Sequence, residues 1–413
     1  MKGLNWTKGL YRAALAVVLA SPFSVLPQSA APMGSAVSLA VAGEPTPPGG
    51  IPLGPLIVYP AVEASIGHND NLFSSNINKG SSTQNSVSPS VKAEGRAGAH
   101  TFSVSYRIDD VRYVDSPADN YTNHSLRGGA NLVFSGRAGL RLRGEFRRGI
   151  DPRGSTDRAS SAAPDEYINY GADGIFGYGA PGARGRIEID GAAYARRYQN
   201  NRVSTEVSDR DATALGATFL WRVAPKTELL ALTQYRRIDY VLASSTQDST
   251  ETRYQVGAKW EATAKTAGIL KYGLLEKKFA ATGRTDFSGA SWDATVRWSP
   301  RTYSIVDFSS SKGTNESTGT GDFLLTQTYG VNWNHAWNSR FSTTALASQR
   351  KDEFLGTGGG RIDKTSTFGL KFSYQWQRWL RFGGEFTVMD RVSSPSTFDY
   401  TRHLWLLTLG ATL

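Results

Sequence analysis

The chain has 413 residues, a formal net charge of +10 and no cysteine. At 39% hydrophobic residues, with no run approaching the roughly 18 consecutive apolar residues of a spanning helix, it is not a polytopic helical membrane protein. Without Cys there is no disulfide scaffold, no thiolate zinc site, no thiol nucleophile and no lipoprotein acceptor.

Lys2, Lys8 and Arg12 precede the short apolar run Ala13 to Ala20, and small residues follow. This is the layout of a secretory signal peptide, expected over residues 1–42. The motif Ala40-Val41-Ala42 offers the better cleavage site, and Ser29-Ala30-Ala31 an earlier one, after residue 31. The chain is therefore expected to leave the cytoplasm of a Gram-negative bacterium. Residues 43–57 form a leader rich in proline, with Pro45, Pro47, Pro48, Pro52 and Pro55 and then Pro60 just beyond. Proline donates no hydrogen bond to a ladder, so this stretch reads as an extended tail and not as a central strand. Such a tail can lie in the periplasm, plug a pore or touch a partner.

From residue 58 to 413 the hydrophobic pattern has period two, the period of a strand. Leu140, Leu142 and Phe146 alternate with Arg141, Arg143, Glu145 and Arg147. Tyr254, Val256 and Trp260 alternate with Arg253, Gln255 and Lys259. Leu380, Phe382, Phe386 and Val388 alternate with Arg381, Gly383, Glu385 and Thr387. About eighteen strands are predicted, an even number as in bacterial single-chain barrels. They start near residues 58, 83, 101, 121, 140, 165, 186, 211, 228, 252, 269, 289, 303, 323, 341, 363, 380 and 400. Two of them alternate poorly: Lys271 and Lys277 share a face with Ile269 and Leu275, and Asp307 shares one with Ile305.

Three features favour a membrane barrel over a soluble sandwich. The segments are long, about 10–13 residues, as a tilted crossing requires. Short connectors such as Ala224-Pro225-Lys226-Thr227 alternate with longer polar ones such as Gly149 to Asp165. Trp221, Trp260, Trp298, Trp333, Trp337, Trp376 and Trp379 all lie beside short connectors, as an interfacial belt would. The expected fold is all-β: a transmembrane antiparallel β-barrel in the outer membrane. Its last strand ends in apolar alternation at Leu413.

A barrel of this size leaves an aqueous lumen unless something plugs it. The candidate pore-lining residues are Arg141, Arg143, Glu145, Arg147, Arg186, Glu188, Arg253, Lys259, Glu261, Arg297, Arg381 and Glu385. Basic residues in a low-dielectric channel concentrate anions, although the same side chains can instead brace the wall as ion pairs. No outer connector exceeds roughly twenty residues, which argues against the long inward loop of a constricted sieve. Catalysis is not expected. The five histidines, His68, His100, His124, His335 and His403, fall in no G-x-S-x-G or H-E-x-x-H context. Neither a cofactor nor a metal is implied, and no nucleic-acid motif accompanies the basic charge.

Several stretches together resemble the β-barrel porin 2 family, including the EpsL-type outer-membrane proteins of exopolysaccharide loci. They are His68-Asn69-Asp70-Asn71-Leu72-Phe73, Tyr178 to Arg186, Arg197 to Asn201, Ala224 to Leu230, Trp260 to Gly268, Asp286 to Gly289 with Trp292, and Trp298 to Ser304. The resemblance implies a conduit for exopolysaccharide, working with a periplasmic export protein and inner-membrane synthesis machinery. It carries no catalytic residues. A diffusion porin for small anionic solutes and a non-transporting surface or adhesive barrel are the alternative readings.

Overall fold

The computed structural model describes residues 49–158, 161–261 and 265–413. The expected signal peptide and the first part of the leader lie outside these residues. The strands are β1 (Ile51–Leu53), β2 (Leu56–Asn69), β3 (Ser82–Ala97), β4 (His100–Tyr113), β5 (Tyr121–Val133), β6 (Ala138–Asp151), β7 (Asp165–Tyr178), β8 (Gly185–Tyr198), β9 (Arg210–Ala224) and β10 (Thr227–Tyr240). The series continues with β11 (Ser249–Trp260), β12 (Thr266–Phe279), β13 (Phe287–Arg301), β14 (Ser304–Glu316), β15 (Phe323–Ala336), β16 (Phe341–Leu355), β17 (Ile362–Gln377), β18 (Leu380–Ser394) and β19 (Tyr400–Thr412).

Strands β2 to β19 pair each with the next, all antiparallel, and β19 returns to β2 from Leu404↔Asn69 to Thr412↔Ala61. The result is a closed barrel of eighteen strands. Closure leaves no sheet edge, so every strand finds its backbone partners inside the wall. Every barrel strand begins within three residues of its predicted start.

The proline-rich leader departs from its expectation. Ile51–Leu53 turns back on Leu56–Val58 as a small hairpin, and β2 already includes Pro60. Pro60 is tolerated because β19 runs out there, ending with Leu413 N–H on the Pro60 carbonyl. Pro89 in β3 is accommodated by a break in the β3–β4 ladder between Val87↔Asp110 and Ser90↔Arg107.

Both ends of the barrel wall emerge on the side of the short turns, such as 225–226 and 378–379. This is the periplasmic rim of an outer-membrane barrel. Trp221, Trp298, Trp337, Trp376 and Trp379 stand exposed beside those turns. The outward face carries Leu215, Phe219, Val256, Phe372, Phe382, Trp405 and Leu407, all exposed as lipid contact requires. Strands of 12–16 residues exceed the roughly 9–11 that cross the hydrocarbon. The outward face accordingly turns polar near the outer ends, at Arg112, Arg148, Arg197 and Arg237.

The two poorly alternating segments resolve in register. Ile269, Lys271, Leu275 and Lys277 all face inward on β12, as do Ile305 and Asp307 on β14. Gly257 on β11 sits so close to β12 that a Cβ would overlap the Leu270 carbonyl oxygen. Gly257→Ala should therefore destabilise the barrel by about 1–3 kcal/mol, the cost of overpacking. Gly128→Ala, which meets open space, should be neutral. The temperature at which the folded, fast-migrating band is lost on a denaturing gel reads both.

Candidate functional site

Register places the candidate residues on one face. Arg141, Arg143, Glu145 and Arg147 of β6 lie on the side that also carries the buried Asp151, and Asp151 meets Arg196 of β8. Arg186 and Glu188 share that face of β8, Arg253 and Lys259 that of β11, Arg297 that of β13, and Arg381 and Glu385 that of β18. Glu261 follows the end of β11 in the periplasmic turn. The exposed aromatic side chains occupy the other face, so this one surrounds the lumen.

Among the described residues, six of these twelve charges are paired along the wall. Arg143 meets Asp173 at 2.9 Å, Arg127 meets Glu145 at 3.3 Å, and Arg297 meets Asp307 at 2.7 Å. Glu228 takes Arg186 at 3.2 Å and Arg222 at 3.6 Å. Asp293 takes Lys271 at 3.5 Å and Arg253 at 3.8 Å, and Glu63 takes Arg381 at 3.4 Å and Arg107 at 3.7 Å. Arg141, Arg147 and Lys259 have no ion-pair partner among the described residues.

At the outer end the charges are buried and the mouth is spanned. The connection between β6 and β7, described at 152–158 and 161–164, folds over the lumen. Arg158 at its centre meets Asp165 at 2.8 Å and Asp151 at 3.1 Å, over the Tyr198 ring. Arg153 pairs with Asp119 and stacks on Phe73 of the β2–β3 connection. Gly154, at φ +74°, lies so close that a Cβ would overlap the Phe73 carbonyl oxygen. Asp157 meets Arg361 at 2.6 Å, and its N–H donates to Thr318 Oγ1 at 3.3 Å. Arg361 ends the β16–β17 connection, nearly opposite in the ring. It also pairs with Asp363 at 2.6 Å and stacks on Phe398. The connection thus crosses the barrel, contrary to the inference drawn from its modest length; its crosslinks, not its extent, hold it inward.

The tip of the β14–β15 hairpin also turns inward. The β13–β14 ladder stops at Trp292↔Lys312, yet β14 continues to Glu316 beside β15. Strict alternation puts Thr314 and Glu316 on the lipid side with Phe308. Because β14 has left β13, the hairpin tip leans inside and that side packs on the inner wall. Glu316 binds Lys277 at 2.8 Å and accepts from Tyr240 Oη at 2.7 Å. Thr314 Oγ1 donates to Glu251 at 2.6 Å, and Lys277 meets Glu251 at 3.1 Å. Phe323 packs its ring against Phe279 and Phe287. The Lys277 side chain is 0% exposed, whereas that of Arg127 on the open wall is 64% exposed. Exposed pairs contribute about 0–1 kcal/mol, while removing one partner of a buried pair costs about 3–5 kcal/mol. The ties that matter energetically are those at the mouth. Burial is the largest influence on Asp157 and lifts its carboxyl above the ordinary range, against the pull of Arg361. Acid therefore favours the packed lid over one that releases Asp157 to water.

A family model described as "Putative beta-barrel porin 2" matches residues 44–412. The chain belongs to this family. No curated protein matches it. Among solved structures it is similar to OpdK of Pseudomonas aeruginosa with vanillate, at 10% identity and TM-score 0.50, covering 86% of this chain and 99% of that one. A BenF-like porin of Pseudomonas fluorescens matches at 9% identity and TM-score 0.49, covering 87% and 99%. The FrpB iron transporter of Neisseria meningitidis (F3-3 variant) matches at 13% identity and TM-score 0.43, covering 80% of this chain. The chain spans 62% of the length of that transporter. Identities this low show the fold alone: a porin-like barrel of the outer membrane.

The crossing connection can be locked. A Cβ at Gly319 would lie 3.3 Å from the Asp157 Cβ, close to disulfide spacing, and the chain has no other Cys to interfere. The double variant Asp157→Cys, Gly319→Cys should conduct less when oxidised than when reduced in planar bilayers. Equal conductance in both states would mean that the lid does not move.

Proposed function

We propose that this barrel is a passive, non-catalytic conduit that carries an anionic exopolysaccharide outward across the outer membrane, opening its outer lid for the cargo. The observation that carries the reading is the mouth crossed by the Asp157–Arg361 contact, with Glu316–Lys277 seating the β14–β15 hairpin tip on the inner wall beside it. A pore for continuous diffusion gains nothing from a closed mouth. A conduit that receives polymer intermittently does, because the closed mouth keeps the membrane sealed between deliveries. Arg141, Arg147 and Lys259, with no ion-pair partner among the described residues, supply weak, spaced attraction for a sliding polyanion. The periplasmic rim of short turns is where an export protein would dock, with inner-membrane synthesis supplying the drive.

The second reading, a diffusion porin for small anions, draws on the same cations. An in-frame deletion, with surface and periplasmic polysaccharide measured separately, separates the two. Surface loss with periplasmic accumulation, restored by complementation, is the expected result; unchanged polysaccharide in both fractions sinks the conduit. Changing Arg141, Arg143 and Arg147 together to Gln should shift the reversal potential of the channel away from anions. No shift would mean that the three do not set the selectivity of the lumen.

A further inference from the structure

The inner face breaks its polar pattern at one place. Ile175 of β7, Leu220 of β9, and Leu230 and Leu232 of β10 pack together there, with Ile269 of β12 against them. The four are only 5–6% exposed, so they bury one another and form a small apolar core on the lumen side of the wall, with Ile269 half-buried at its edge. Gly257 helps to form it. It stands between Leu230 and Lys271 in the register and puts no side chain between β10 and β12.

Each edge of this floor carries a cation in register. Arg141 stands opposite Ile175, Arg186 opposite Leu220, and Lys259 opposite Ile269. Arg186 is engaged by Glu228, and Lys271 by Asp293. Arg141 and Lys259 have no ion-pair partner among the described residues. A cavity of about 600 Å³ opens onto floor and cations together, with Glu188 and Glu261 also on its lining. Ligand pockets commonly run from about 300 to 1,000 Å³.

We propose that this pocket, in the periplasmic half of the lumen, binds a small amphiphilic carboxylate with a short aliphatic body. The carboxylate is held by the field of the cations at the edges, Arg141 and Lys259, and the aliphatic part lies on Ile175, Leu220, Leu230 and Ile269. A hydrophilic anion such as acetate satisfies only the cations, and a neutral alcohol satisfies only the floor. The inference goes beyond the conduit reading. It is read on purified protein, so its failure leaves the export phenotype untouched and the reverse.

The test is calorimetric titration of the full barrel in lipid nanodiscs with hexanoate, acetate and hexanol, with empty nanodiscs as the partition control. Hexanoate should bind at least about tenfold tighter than either of the others: over acetate because its additional methylenes are partly buried, and over hexanol because only its carboxylate meets the cations. Arg141→Gln with Lys259→Gln should abolish the preference for hexanoate over hexanol and leave the fold intact, because neither side chain has an ion pair among the described residues. Leu220→Asn should abolish the preference over acetate. If that variant does not give the folded band, Ile269→Thr at the half-buried edge takes its place. Hexanoate binding no tighter than acetate, or unchanged in the Arg141→Gln, Lys259→Gln protein, overturns the proposal.

Discussion

A backbone amide in hydrocarbon has no water to bond, and everything else in this protein follows from meeting that condition. The wall meets it only because β19 finds β2, so that no strand is left with an open side. The same pleat that satisfies the amides sends alternate side chains to opposite faces. One face dissolves in lipid, and the other is left to water. Eighteen strands make a ring too wide for wall side chains alone to fill. The space that results is the reason the loops and the hairpin tip have somewhere to go.

Charge does different work at different depths. Along the middle of the wall Arg and Asp side chains pair while half in water, and such pairs add little to stability. They set the field of the lumen more than the strength of the barrel. At the outer end Asp151, Glu251, Lys277, Glu316 and Arg361 are buried, and there a missing partner is expensive. The lid is therefore specified by a few contacts that reach between distant segments. The wall is specified by many equivalent ladder bonds.

This contrast explains what the sequence makes legible. Strand positions are written locally: Leu140 to Arg147 announces its own period, and turns such as Ala224 to Thr227 announce their own ends. The faces of Arg141, Glu188 or Arg381 follow from parity once the period is known. The lid does not follow. Thr314 and Glu316 have the parity of lipid-facing residues and come inside only because β14 parts from β13 above Lys312. Nothing local to Asp157 announces Arg361, some two hundred positions away and across the ring. The apolar floor was visible only as a nuisance, in the shared face of Ile269 and Lys271; the signal was the failure of alternation itself.

The far-wall anchor of the β6–β7 connection has a mechanical consequence. A closed sheet resists stretching along its hydrogen bonds but can be flattened or rounded at low cost, as a hoop can. A tie from β6–β7 to Arg361 on the opposite side is a chord across that hoop. While the chord holds, the outer cross-section keeps one shape; when it is released, the wall is free to round. Lateral pressure from the surrounding lipid and the state of the lid are thereby linked through geometry, with no further contact needed between them.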